Sequence, residues 1–347
     1  MDIYKILQMD TSIWDLFTCK EEYYPQLLDT YGRFPYYASK NRDIFMPKAS
    51  QYLSEHGFSV EYPDNAPFAV CLTHDIDIIY ESIRTKGHSA IRNLKRGNIP
   101  ESLQGLYSLH SKKIPFCNFI DIMALEEQYN SKSTFFFMAE NPEDQDYFYN
   151  IEDLGSEIGE IVDRGGEVGL HGGHTTFSDP EKMREKKKKL EKMLNRPVQG
   201  YRNHYLRFNV PSTWEYLKEA GFKYDSTLGY ADCIGFRNGM CHPFRPFNID
   251  SQSVIDIIEI PLIMMDMTFF NTYMRLNMNQ AWELFLRVTQ EIERCQGVLT
   301  ILWHNNNLLN DWRKLYVKIL EYCSKKNAWI TNGNTICQWW DNEHSRN

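Results

Sequence analysis

Ala69-Val70-Cys71-Leu72-Thr73-His74-Asp75-Ile76-Asp77 opens on an apolar run and closes on two carboxylates two positions apart. A short unbroken apolar run reads as a strand buried on both faces, and charged residues at its end mark a strand terminus. The pattern recurs at Ser133 to Met138, Glu167 to Leu170, Ile257 to Pro261 and Val298 to Trp303. Helix-like segments lie between these runs, among them Gly155 to Arg164, Ser212 to Ala220 and Gln280 to Cys295. Strands alternating with helices predict a mainly parallel sheet, and this many units in one stretch predict an α/β fold with a closed or partly closed barrel. In such barrels the chemistry sits where strands end, and the charged motifs fall there.

Residues 1–66 lack this alternation and are punctuated by Pro25, Pro35, Pro47 and Pro63, so a mostly helical N-terminal cap is expected, packed on a barrel of residues 67–347. Ile78 to about Asn130 is too long for a plain crossover and reads as an insertion that covers the active site. In Glu181 to Lys192, which follows Ser178-Asp179-Pro180, Asp179 is placed to cap and Pro180 to take the first helical position. Met183, Leu190, Met193 and Leu194 supply the apolar stripe of that helix, with its lysines expected on the solvated face.

Lys and Arg total 38 against 46 Asp and Glu, a formal net charge of −8. That sign opposes phosphate-backbone binding, so no nucleic-acid partner is expected. No run approaches the roughly 18 uninterrupted apolar residues of a membrane span. The N-terminus, MDIYKILQMDTSIWDLF, carries Asp2 and Asp10 around short apolar stretches where a secretory signal has a basic start and an unbroken apolar segment. A cytoplasmic location is expected. Eight Cys without a C-x-x-C pair suit buried free thiols better than a zinc knuckle or a disulfide framework.

Five constellations carry chemistry. In Thr73-His74-Asp75-Ile76-Asp77, two acids at a strand end can point to one side, or one can bind a metal while the other acts as base. In His171-Gly172-Gly173-His174, two imidazoles separated by a Gly-Gly step can converge on one ion. Gly200-Tyr201-Arg202-Asn203-His204 and Tyr224-Asp225-Ser226-Thr227 offer an Arg that can hold a carboxylate ionised and an Asp that can hold the Arg. Leu299-Thr300-Ile301-Leu302-Trp303-His304-Asn305 delivers a histidine from an apolar strand.

In this order the five resemble the signature of the polysaccharide deacetylase family over roughly residues 67–340. Thr73 to Asp77 stands where the family has T-F-D-D-G, and His171 opens the segment matching H-[ST]-x-x-H. Arg202 matches the arginine segment, Asp225 the D-S segment, and Leu302-Trp303-His304 the L-x-H segment. G-Y-R-N-H-Y-L-R-F, Y-D-S-T-L-G-Y, F-R-N-G-x-C-H-P-F and L-W-H-N are similar to a bacterial branch associated with surface polysaccharide and lipopolysaccharide biosynthesis.

The resemblance implies a distorted (β/α) barrel that removes N- or O-acetyl groups from sugars with a divalent metal, zinc in first place. It implies Asp75 as general base, Asp77 and His171 as metal ligands, Arg202 orienting Asp75, Asp225 tethering Arg202, and His304 as general acid. The family's second histidine lies four residues after the first. Here position 175 is Thr, so His174 is the nearest imidazole for the third ligand, with His204 as its rival. The D-x-D spacing also leaves the roles of Asp75 and Asp77 open to exchange. The expected substrate is an N-acetylated sugar or glycan precursor. The alternatives are a hydrolase of small amides at non-peptide C–N bonds, or a carbohydrate-binding protein that kept the fold and lost turnover.

Overall fold

The computed structural model describes residues 1–79 and 117–344. The sheet uses β1 (Ala69–Ile76), β2 (Thr134–Met138), β3 (Glu167–Gly172), β4 (Gly200–Asn203), β5 (Tyr224–Asp225), β8 (Ile258–Glu259), β9 (Met264–Met265), β10 (Val298–Leu302) and β11 (Trp329–Thr331). A separate two-stranded ribbon pairs β6 (Phe247–Asn248) with β7 (Ser253–Val254). The main sheet runs β8-β5-β4-β3-β2-β1-β10-β9, with β11 beside β1, and every pair in it is parallel.

This order forces the sheet to curl. β8 and β9 are the two ends of the path, yet only Ile260 to Ile263 separates them in the chain. Five Cα steps of about 3.8 Å reach at most about 19 Å, whereas seven flat strand spacings of about 4.8 Å would put the ends about 34 Å apart. The linking segment bonds to both sides: Ile260 N–H donates to the Asp225 carbonyl at 2.8 Å and Ile263 N–H to the Thr300 carbonyl at 3.2 Å. The result is a partly closed barrel whose strands all aim their C-terminal ends at one face.

The apolar runs are buried on both faces, as parallel strands require: all of β1, β2 and β10 lies in the interior. Phe135, Phe136 and Phe137 are fully enclosed, each contributing about 1.5–3 kcal/mol by leaving water. Helices Gly155–Asp163, Pro180–Leu194, Ser212–Glu219, Met278–Cys295 and Arg313–Lys325 follow the periodicity in the sequence. Asp179 caps the second of these through the N–H groups of Glu181 and Lys182, with Pro180 in its first turn. One expectation fails on that helix: Lys186 is 1% exposed, ion-paired with Asp144 and 3.8 Å from Glu140. The lysine stem crosses the apolar stripe while its ammonium meets two acids beneath the loop after β2.

Residues 1–66 hold three short α-helices, Ile3–Leu7, Thr11–Phe17 and Lys48–Glu55, and no strand. They are anchored by a buried Arg237–Glu22 ion pair, with Arg237 Nε 2.9 Å from Glu22 Oε1. Nearby, the carbonyl of Gly239 (φ +73°) accepts from the Ala49 and Ser50 N–H groups, and a Cβ there would meet Leu16 Cδ2 at 2.8 Å. The expected insertion falls outside the described residues over 80–116, and its last part includes the helix Phe119–Glu127. Among the described residues no helix is long and apolar enough to cross a membrane. All eight cysteines are free.

Candidate active site

Strand alternation sorts the residues at the end of β1. His74 points into the core, where Nδ1 donates to the Trp303 carbonyl (2.7 Å) and Nε2 faces Glu126 Oε1 (2.8 Å). Asp75 points the other way, and Asp77, just past the strand, joins it at the mouth of the barrel with Tyr205, Met265, Leu302 and His304 around a cavity of about 210 Å³. The two acids therefore do face one side.

Three imidazoles surround Asp77. His171, from β3, places Nε2 3.1 Å from Asp77 Oδ1 and 3.7 Å from Asp75 Oδ2. Its Nδ1 donates to the Arg202 carbonyl at 3.0 Å, so Nε2 is the ring nitrogen that faces the acids; burial opposes charge on this ring, but Asp75 and Asp77 raise its pKa. His204, just past β4, places Nε2 3.7 Å from Asp77 Oδ2 and Nδ1 2.8 Å from Asp146 Oδ2. His304, just past β10, places Nε2 3.4 Å from Asp77 Oδ2 and Nδ1 2.7 Å from Asp266 Oδ1. Burial alone would raise the Asp77 carboxyl, but His204, His171 and His304 hold it far below the ordinary carboxylate range. Burial opposes charge on His304 as well, yet Asp266 first, then Asp77 and Asp75, push its pKa up to about 10.

Ligand atoms of Asp77, His171 and His204 all lie within 4.8 Å of one another. The third place expected for His174 is thus filled geometrically by His204. His174 sits on the turn beyond the two glycines, its ring 5.8 Å from that of Tyr205, its carbonyl accepting from Arg207 Nη1 at 2.6 Å. Burial and the Arg207 charge lower its pKa. The reason for the difference is register: His171 pairs with Arg202 across β3 and β4, so the chain two residues beyond Arg202 emerges beside His171.

Arg202 is fully buried, with Nε 3.8 Å from Asp75 Oδ1 and its guanidinium 5.0 Å over the Phe136 ring. The expected tether from Asp225 is not what holds it. Arg202 Nη2 donates to Ser226 Oγ at 2.9 Å, and the Ser226 hydroxyl in turn donates a hydrogen bond to the Ile260 carbonyl at 2.7 Å. Asp225 turns to its own loop, accepting from Thr227 Oγ1 (2.6 Å) and Thr227 N–H (3.1 Å). Burial raises the Asp225 carboxyl, and burial next to Asp225 pushes that of Glu259 well up. Glu259 braces the barrel seam, accepting from Trp214 Nε1 at 2.8 Å.

Asp146 and Asp266 were not singled out from the sequence. Neither stands in a motif with metal or catalytic spacing; Asp266 follows Met264-Met265, the end of a strand only two residues long. Tyr205 was missed too. It and Leu206 carry left-handed backbones (φ +60° and +55°), a cost of about 1–2 kcal/mol each for L-residues. The Tyr205 ring lies on His204, centroids 3.7 Å apart and planes at 25°.

The donor set fits a divalent ion. Asp77 Oδ1 and His171 Nε2 are buried without a hydrogen-bond partner, a condition that costs stability unless something else occupies the space between them. One carboxylate and two imidazoles suit zinc, whose bonds of about 2.0–2.1 Å set tetrahedral ligand atoms about 3.3–3.4 Å apart. Asp77 offers its two oxygens separately, Oδ1 at 3.1 Å from His171 Nε2 and Oδ2 at 3.7 Å from His204 Nε2.

No family model matches the chain, and no curated protein matches it in sequence. Among solved structures it is similar to a Mycobacterium smegmatis protein assigned to the polysaccharide deacetylases, with TM-score 0.56 and 18% identity over 82% of this chain and 93% of that one. It is also similar to Puue allantoinase, with TM-score 0.54 and 17% identity over 92% of this chain and 98% of that one. At that identity the likeness is one of fold, the distorted (β/α) barrel of the polysaccharide deacetylases.

Proposed function

We propose that this chain is a metal-dependent hydrolase that removes the N-acetyl group from a sugar of a bacterial surface glycan or its precursor. The observation that carries the reading is the convergence of Asp77, His171 and His204 within 4.8 Å, with Asp75 on one side and His304 on the other. Asp77, His171 and His204 would hold the ion. A bound divalent metal, zinc in first place, supplies a Lewis acid for the acyl oxygen and lowers the pKa of water from about 15.7 towards about 7.

The chain's own residues handle the protons. Asp75, beside the buried Arg202 guanidinium, accepts the proton of the attacking water. His304, held cationic by Asp266, gives its Nε2 proton to the amine nitrogen as the C–N bond breaks. One water is consumed; acetate and a free amino sugar leave. The eight unpaired thiols support a reducing, cytoplasmic setting.

The likeness to an allantoinase favours a second reading, hydrolysis of a small cyclic amide by the same residues. Both are tested by assaying the metal-loaded protein on N-acetylhexosamine conjugates and on cyclic amides such as allantoin. Acetate release with one ion per chain supports the first reading. Turnover confined to cyclic amides selects the second, and absence of both ion and turnover leaves the barrel as a carbohydrate-binding protein.

A further inference from the structure

The N-terminal segment reaches the barrel mouth. Arg33, 6% exposed, donates from Nη1 to the Tyr205 carbonyl at 2.8 Å and from Nη2 to the Tyr273 hydroxyl at 3.0 Å, while its Nε binds Asp29 at 2.7 Å. Its guanidinium lies 4.7 Å over the Tyr31 ring. Tyr31 in turn stacks on Tyr205 (4.8 Å, 28°), whose ring lies on His204. Tyr31, Arg33, Tyr205 and Tyr273 all line the cavity that contains Asp75, Asp77 and His304.

We propose that Arg33 is a positioning residue for this site: by holding the Tyr205 carbonyl and the Tyr273 hydroxyl it keeps the Tyr205 ring flat on His204 and fixes the tyrosine wall against which a sugar ring is received. The inference rests on the reading of His204 as a metal ligand. The physical case is that Tyr205 and Leu206 occupy backbone conformations that L-residues avoid, so the turn needs an outside restraint. A planar, fixed fork of donors restrains two acceptors at once, which a lysine ammonium on a flexible stem does less well. Tyr31 closes the stack from the solvent side, so the site's histidine is aimed by a segment about 170 residues away in sequence.

The test uses the full chain as Arg33→Met, Arg33→Lys and the double variant Arg33→Met/Asp29→Asn. The double variant leaves no carboxylate without its partner and keeps the comparison valid if the single variant unfolds. In metal-free protein with 13C-labelled histidine, the His204 ring resonance, shielded by Tyr205, should move downfield in both Met variants and return part of the way in Arg33→Lys. Zinc titrated into the same proteins should bind about 10–100-fold more weakly, the usual cost of losing a group that orients a ligand. KM for the N-acetylated sugar should rise along with a fall in kcat, and methylguanidinium should restore part of both in the Met variants. A folded double variant whose His204 resonance is unmoved, or whose zinc affinity stays within twofold of the parent, overturns the proposal. If the parent itself binds no divalent ion, the metal reading fails while the His204 resonance still decides whether Arg33 positions the ring.

Discussion

His204 and His304 approach Asp77 from different strands, and both place Nε2 near its Oδ2 and Nδ1 against a buried aspartate. What differs is their company. His204 has a second imidazole beside it, His171, at a ring-centroid distance of 5.3 Å, and a tyrosine ring on its face. His304 is surrounded by acids, and Asp266 behind it is locked by the N–H groups of His304 (2.8 Å) and Met267 (2.7 Å) and by Asn307 Nδ2 (2.9 Å). On the reading proposed above, the same side chain would serve as a ligand beside His171 at the end of β4 and, with its pKa pushed up to about 10 by Asp266, Asp77 and Asp75, as a proton donor at the end of β10.

The hardest test exchanges the two. His204→Ala should lose the bound ion and the activity together, as should Asp77→Ala and His171→Ala, with metal affinity falling more than about a hundredfold for a lost ligand. His304→Ala should retain the ion and lose kcat by about 10²–10⁴. His174→Ala should keep its metal. Metal analysis that finds the ion in His204→Ala but not in His174→Ala would restore the ligand set expected from the sequence.

Asp75→Asn extends the comparison to the acids. It keeps shape but cannot take the proton, so a folded, metal-loaded variant with kcat down by about 10²–10⁴ is expected. Loss of metal here, with retention in Asp77→Asn, would reverse the two carboxylates.

A smaller effect separates the supporting aspartates. Asp146→Asn should weaken metal binding by about 10–100-fold. Asp266→Asn should leave affinity alone and move the alkaline limb of the pH–rate profile to lower pH, because His304 loses the neighbour that most raises its pKa. An unchanged limb would remove His304 from the acid's role.

The last effect is on stability. His304 titrates near 6.5 when unfolded and at about 10 in the folded, metal-free protein. Its raised pKa therefore contributes stability that is complete below about pH 6.5 and is lost as pH rises through about 10. The Tm difference between metal-free parent and His304→Gln should shrink across that window; a constant difference would contradict the Asp266 pairing.

How much of this was legible is clearest at single residues. β1, β2, β3 and β10 were readable because a strand buried on both faces needs an unbroken apolar run. β5, β9 and β11 span only two or three residues, too short for any periodicity to show. Lys186 was misread because a helix pattern shows which side faces the core but not that Asp144 waits at its margin. Asp225 was misread because its neighbour Ser226, from the same motif, is the one that reaches Arg202.

By itself the sequence determined the alternation of strands and helices, the two acids at the end of β1 and the delivery of His171, Arg202 and His304 to strand ends, since each follows from local hydrophobic pattern and chain order. Only the tertiary structure decided which imidazole joins Asp77 and His171, and that Asp146, Asp266 and Arg33 stand behind the site. Those choices depend on strand register, on a left-handed turn at Tyr205 and on contacts between segments far apart in the chain. A sequence pattern records what each residue prefers; which atoms meet at 3 to 4 Å is set by how the curled sheet brings its ends together.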